Sequence, residues 1–263
     1  MAHEATIRLA FFLGLFAVFA VLEAMAPGQT RSYGRGPRCP TNLAFAALDT
    51  LTLRALALFL PALAIGAALD AQAQGWGLFN WLAAPQWLEV GLAILLFDLA
   101  IWAQHLVTHK VPLFWRFHRV HHSDRDFDVA TAVRFHPVEI AASMGLKVGL
   151  VYLLGPAPIA VLAFEILLNG TALFNHANLR LPPQLDRALR LLLVTPDMHR
   201  VHHSILREEH DSNFGFALSV WDRIFGTYRP IPKAGLDGMK VGLEWQDDAP
   251  TRLGWSLWLP FRK

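Results

Sequence analysis

The chain has 263 residues, of which 54 % are hydrophobic before its 18 glycines are counted and only 17 % are charged; its mean hydropathy is +0.34. That composition excludes an intrinsically disordered chain and argues against an ordinary soluble globule, leaving an integral membrane protein. The formal charge is +2 with scattered arginines, so nothing points to nucleic acid as a partner, and the single cysteine, Cys39, excludes an intrachain disulfide or a thiolate cluster.

Long apolar runs set the expected elements. A first span is predicted over residues 9–26, with Glu23 its only charge; Ala24-Met25-Ala26 imitates a leader cleavage site, but Pro27 follows it and the preceding residues are barely basic. A second run, 42–69, is interrupted by Asp49, Arg54 and Pro61, and a third, 87–107, carries Glu89 and Asp98. Residues 138–154 and 158–177 read as a helical hairpin broken at Gly155-Pro156-Ala157-Pro158, with Lys147 in its first arm. A short amphipathic piece at 185–194 is expected to lie on the membrane surface.

Together these predict an all-α polytopic membrane protein with four to five transmembrane helices and a cytoplasmic, histidine-rich helical cap. The expected division is N-terminal transmembrane helices over 1–86, a catalytic domain over 87–230 and a cytoplasmic tail over 231–263. Basic residues set the orientation: Arg31, Arg35 and Arg38 follow the first span, and Lys110, Arg116, Arg119, Arg125 and Arg134 follow the third, while the intervening loops carry none. This places the N-terminus outside and the histidine-rich segments on the cytoplasmic side.

Ten of the 12 histidines lie between His105 and His203. His105 and His109 sit at i and i+4 on one helical face. The string HRVHHS then occurs twice, giving His118, His121 and His122 and later His199, His202 and His203, and at helical spacing each copy can present three imidazoles together. Eight such rings with no thiolate partner suit two borderline transition-metal ions. His136, beside Pro137, reads equally as a ligand or as a helix-start residue; His176, at the end of the fifth span, reads as a ligand. His3 and His210 have no partner at ligand spacing.

Asp98 precedes His105 by seven residues on one helical face, and Glu165 and Asn169 precede His176 in the same way. All three are read as groups that orient imidazoles by accepting their remaining N–H, with pairing to Arg54 or Lys147 between helices as the alternative.

From Asp98 to Tyr228 these motifs resemble the fatty acid hydroxylase and sterol desaturase superfamily of membrane di-iron oxygenases. The resemblance rests on HxxxH at His105–His109, HxxHH at His118–His122, HPxE at His136–Glu139, HxN at His176–Asn178, HxxHH at His199–His203, and the strings DSNFG from Asp211 and WDRIFGTY from Trp221. It implies a cytoplasmic pair of iron ions, O2 as co-substrate, oxidation of a membrane lipid and electrons from a ferredoxin, a cytochrome or an NAD(P)H-dependent reductase, in a bacterial-type inner membrane or the endoplasmic reticulum. It also implies supporting roles beside the ligands for Asn175, Asn213 and Asp222. Neither a GxGxxG string nor a haem-attachment motif is present, which fits an external donor. The chain departs from the family pattern at Leu106, where arginine is frequent, at Phe214, where tyrosine is frequent, and at Ala172, where some fatty acyl hydroxylases have a histidine; the last leans toward the sterol desaturase side. A zinc-dependent membrane hydrolase, a metal transporter and a non-catalytic chelator are the competing readings.

Overall fold

A helix rises about 1.5 Å per residue, so an apolar run must form one continuous helix of about 20 residues to cross a hydrocarbon core. In the computed structural model, which describes residues 3–59, 63–82, 84–245 and 247–262, the chain forms α1 (Glu4–Met25), α2 (Arg35–Leu56), α3 (Leu63–Gln74), α4 (Leu78–Leu82), α5 (Gln86–Lys110), α6 (Pro112–His122), α7 (Pro137–Leu154) and α8 (Pro158–His176). Short helices follow: α9 (Pro183–Leu189), α10 (Pro196–His202), α11 (Arg207–His210), α12 (Val220–Ile224), α13 (Gly235–Gly238) and α14 (Leu253–Trp258). Strand pairing among the described residues is limited to two isolated bridges, Leu193 with Leu218 and Ser204 with Val241.

α1, α5, α7 and α8 are long and apolar enough to cross a membrane. The single span expected over 42–69 is not formed. α3 has 12 residues, about 18 Å of rise, and α2 opens with the polar string RGPRCPTN, so neither qualifies alone. The pair still runs the length of the bundle: Arg38 of α2 reaches Asp124 beside the histidines, and Gly77, just beyond α3, lies against Gly155 at the α7–α8 turn. A Cβ on either glycine would collide with the other's backbone, and Gly155 ends α7 in the left-handed conformation (φ 61°) that glycine adopts freely. Pro61 lies outside the described residues. The amphipathic piece at 185–194 forms only the seven-residue α9 and a turn, with Leu185, Leu191 and Leu192 exposed.

Small residues on α3 (Ala64, Ala67, Ala68) let it approach α7 and α8 closely, and Phe97 of α5 stacks on Phe164 of α8 with ring centroids 5.1 Å apart. α1 packs along α8 through Phe12, Leu15, Phe16 and Phe19, leaving Leu9, Phe11, Leu13 and Val18 exposed. At its end Glu23 is fully buried, accepts the Val129 and Asn178 backbone N–H groups at 3.1 and 2.8 Å, and pairs with Arg31 and Arg35.

The loop from Ser123 to His136 closes the histidine end of the bundle, and two buried arginines fasten it. Arg38 clamps Asp124 with Nε and Nη2 at 2.5 and 2.6 Å and reaches Asp128 at 3.0 Å. Burial alone would raise the Asp124 pKa, but the Arg38 charge and this fork bring it down to about 2. Arg134 donates to the Val120 carbonyl, Asn42 Oδ1 and Ser256 Oγ at 2.9, 2.8 and 2.8 Å, and so ties α2, α6 and the C-terminal α14 together. Removing one partner of a buried ion pair strands the other's charge. Arg38→Met is therefore expected to destabilise the cap by about 3–5 kcal/mol; thermal unfolding in detergent checks this, and an unchanged midpoint would contradict it.

Candidate metal centre

Helix geometry brings the imidazoles together. The last turns of α5 present His105 and His109, α6 presents His118, His121 and His122, α8 ends on His176, and α10 with its C-cap presents His199, His202 and His203. All nine are buried. They sort into two groups, His105, His109, His118, His122 and His202 in one and His121, His176, His199 and His203 in the other, with candidate ligand atoms within 4.8 Å of one another in each. The HRVHHS triads are thus split. Positions i+3 and i+4 diverge by about 100° around a helix, so His121 crosses to the group opposite His118 and His122, and His202 crosses away from His199 and His203.

Hydrogen bonds fix the tautomers. Nδ1–H of His105 donates to the Phe214 carbonyl at 2.7 Å, that of His118 to Glu139 Oε1 at 2.6 Å, that of His121 to the Arg134 carbonyl at 3.2 Å, that of His176 to the Ala172 carbonyl at 2.8 Å and that of His202 to the Ser212 carbonyl at 2.7 Å. A carbonyl or carboxylate oxygen only accepts, so in the neutral form of each ring Nε2 carries a bare lone pair. Yet His105 Nε2 faces His118 Nε2 at 3.1 Å, and His176 Nε2 is approached by both His121 Nε2 at 3.1 Å and His199 Nε2 at 3.2 Å. Both ring nitrogens of His109 and His122, Nε2 of His202 and His203, and Nδ1 of His199 are buried without a hydrogen-bond partner. Burial first, and then the neighbouring imidazoles, push His122, His199 and His203 well below the ordinary histidine pKa, and burial dominates likewise at His121 and His202. These rings are neutral at pH 7. Converging neutral lone pairs in a dry interior could hold transition-metal ions.

Other expected site residues stand elsewhere. His136 belongs to neither group: it caps α7, its Nδ1 accepting from the Val138 N–H at 3.2 Å and its Nε2 lying 3.3 Å from the Leu257 carbonyl. Glu165 touches no imidazole; it pairs with Lys147 at 3.5 Å and with Arg8, and Asn169 donates to its carbonyl at 2.8 Å. Asp98 accepts from Trp221 Nε1 at 2.8 Å and the Leu218 N–H at 3.2 Å. The reason is depth, since seven residues of helix put Asp98 about 10 Å from the level of His105.

Asn175 donates to the Phe216 carbonyl at 2.9 Å. Asn213, in the left-handed region at φ 54°, donates to the Met198 and Arg229 carbonyls, both at 2.9 Å. Asp222 accepts from Trp102 Nε1, the Phe214 and Gly215 N–H groups and Thr227 Oγ1 at 3.0, 2.8, 2.9 and 2.6 Å. These residues brace the loop whose Ser212 and Phe214 carbonyls receive His202 and His105. They act one bond away from the rings. Gly215 is required there, because a Cβ would meet the Leu218 carbonyl at 2.7 Å and Asp222 Oδ2 at 3.0 Å.

Sequence reasoning passed over Glu139 as a site residue, although it closes the HPxE string, and it set His210 aside. His210 stacks on Trp115 at 5.1 Å and forms a third, smaller group with His109 and Asp211. The adjacent Asp211 was the available signal.

Residues 90–227 match a family model described as fatty acid hydroxylase. Among curated proteins the chain is 32 % identical to ornithine lipid hydroxylase OlsE of Rhizobium tropici, over 57 % of this chain and 44 % of that protein. It is 32 % identical to human alkylglycerol monooxygenase over 59 % and 34 % of the respective chains, and 31 % identical to human cholesterol 25-hydroxylase over 52 % and 49 %. The chain therefore spans between a third and a half of the length of these relatives. No solved structure matches it.

Asp222→Ala releases the loop carrying the Phe214 carbonyl and frees His105 to rotate. Affinity of the first histidine group for a transition metal is expected to fall about 10- to 100-fold, read by competition with a chromophoric chelator; unchanged affinity would show that the loop does not position the ring.

Proposed function

The chain belongs to the fatty acid hydroxylase family, and on that premise we propose that it is a membrane oxygenase that uses O2 and externally supplied electrons to hydroxylate or desaturate a C–H bond of a lipid. His105, His109, His118, His122 and His202 would hold one iron ion, and His121, His176, His199 and His203 the other. Bound there, the iron pair would use O2 and the externally supplied electrons to provide the oxidant that an unactivated C–H bond demands. The observation that carries this reading is the two pairs of facing Nε2 atoms, His105 with His118 and His121 with His176, an arrangement that a cation relieves.

The chain's own residues do the rest. Carbonyls of Ala172, Ser212 and Phe214 and the Glu139 carboxylate lock the rings in the tautomer that points a lone pair inward. A chamber of about 150 Å³ lies against His105 and His118, and Ile101, Ile140, Leu168 and Ala172 give it an apolar wall suited to hydrocarbon. A lipid substrate is further supported by the relatives, which are named for ornithine lipid, alkylglycerol and cholesterol.

An electron carrier of the ferredoxin, cytochrome or reductase class is proposed to approach the opposite side of the site. There a cavity of about 300 Å³ reaches His109 and His210 and is lined by Lys110, Arg119 and Arg207 together with Asp211 and Glu244, so that basic groups outnumber acidic ones by one, a small excess that favours an acidic partner. The arginine-bearing loops at this end support a cytoplasmic position for the metal pair. A zinc hydrolase needs three ligands and an open position, and a transporter needs ligands distributed across the bilayer depth; nine imidazoles gathered at one end of the bundle favour neither.

Purified full chain is expected to carry about two iron ions, and lipid extracts of expressing cells are expected to contain a species heavier by one oxygen or lighter by two hydrogens. His122→Ala and His203→Ala should each abolish that product and lower the iron content while the protein remains in the membrane. Product formed by either variant, or full turnover with zinc in the absence of O2, would refute the assignment.

A further inference from the structure

Two cavities lie in line between α5 and α7. The outer one, about 370 Å³, is walled almost wholly by apolar side chains, among them Val107, Leu113, Phe114, Phe117, Val138 and Leu146. The inner one is the chamber against His105 and His118. Gln104, Thr108 and Glu139 line both, so the cavities meet at those residues. At the junction Ser143 Oγ on α7 donates to Gln104 Oε1 on α5 at 3.2 Å. Leu113, Phe114, Val138 and Leu146 are exposed, which makes the outer cavity an open groove on the flank of two helices apolar enough to cross a membrane. The chamber's far wall is polar: Lys147 and Asn169 line it, and Lys147 sits 3.5 Å from Glu165, itself paired with Arg8.

We propose that this groove is the portal through which a flexible hydrocarbon chain of a bilayer lipid enters the chamber sideways, with the Gln104–Ser143 hydrogen bond as the bar across it. The inference rests on the lipid-oxidation reading and names its route. A polar ligand would leave its groups unpaired along the apolar wall, whereas a chain arriving from the bilayer exchanges one apolar surrounding for another. Glu139, the one charged residue at the junction, holds His118 through Oε1, while its Oε2 is buried without a hydrogen-bond partner and is a polar atom that the passing chain must skirt. A single neutral hydrogen bond between side chains is a weak barrier, breakable by the chain that passes it. The passage reaches a chamber of only about 150 Å³, so a slender chain enters end-on and a fused-ring body stays in the groove. The Lys147–Glu165–Arg8 ions then stop the chain, because hydrocarbon gains nothing by displacing paired charges.

The test uses the full chain in phosphatidylcholine vesicles containing a phospholipid with a mid-chain diazirine, with adducts mapped by mass spectrometry after irradiation. Adducts are expected at Leu146 in the groove and at Ile101 and Ile140 in the chamber. Ala142→Trp adds bulk at an exposed position on the groove, so folding is spared; it should lose the chamber adducts while the lipid-exposed Leu153 remains labelled. Ser143→Ala removes the bar and should raise chamber labelling. Chamber adducts that survive Ala142→Trp, or their absence from the unaltered chain, would overturn the portal; an unchanged yield in Ser143→Ala would overturn the bar. Labelling needs neither metal nor turnover, so a chain that labels as expected but oxidises no lipid would refute the oxygenase reading and leave the portal standing.

Discussion

A neutral buried imidazole that has given its Nδ1–H to a carbonyl or carboxylate oxygen has one thing left to offer, a lone pair at Nε2, and two such lone pairs repel when brought face to face. In this protein they meet twice at 3.1 Å, His105 with His118 and His121 with His176, and further unpartnered ring nitrogens surround each pair. A dry protein interior penalises each unsatisfied polar atom by a few kilocalories per mole, about 1–3 by mutational measures. Protonation would relieve the repulsion only by placing positive charge among crowded, buried imidazoles. A bound metal cation satisfies all the lone pairs at once. The cap is arranged to bring these groups together, and a cation bound among them would offset the cost of that convergence.

Such an arrangement needs a frame that does not relax around it. The loop from Ser123 to His136 carries the Arg134 carbonyl that fixes His121, and it is pinned by Arg38 on Asp124 and Asp128 and by Arg134 on Asn42 and Ser256. The 212–216 loop, which fixes His105 and His202, is pinned by Asp222 and Asn213. Charged groups thus do their work beside the histidines through backbone oxygens. Asp98 illustrates the indirectness: it holds the Trp221 indole and the Leu218 N–H in the segment that Asp222 also braces, and bonds to none of the histidines.

Periodicity made much of this legible. Four long apolar runs became helices close to their expected bounds, and the twin HRVHHS strings with the His105–His109 pair lie around one centre. What periodicity could not show follows from three physical facts. A helical wheel gives direction but not reach, so Asp98 and Glu165 share a face with histidines that stand too far along the axis to receive them. Backbone carbonyls have no signature in a sequence, so the acceptors from Phe214, Ser212, Arg134 and Ala172 emerge only from the fold. Local capping competes with ligation: His136 next to Pro137 satisfies the first turn of α7 and is spent there. The run at 42–69 misleads for a related reason, since its average hydropathy conceals the polar start of α2 and the shortness of α3.

The division of the repeats has a consequence for assembly. Each HRVHHS copy sends its first and last imidazoles to one group and its middle one to the other, and the two copies do so in opposite senses. The first group therefore takes His118 and His122 from one copy and His202 from the other, while the second takes His199 and His203 with His121. Neither group can be completed by one half of the chain, and α6 cannot rotate to improve one without withdrawing a ligand from the other. A pair of sites built this way is mechanically coupled through two short helices. Its spacing is set by the 100° between neighbouring helical positions and by the packing of α6 against α5 and of α10 against α8. That coupling leaves the separation of the two histidine groups to helices and not to the loops between them.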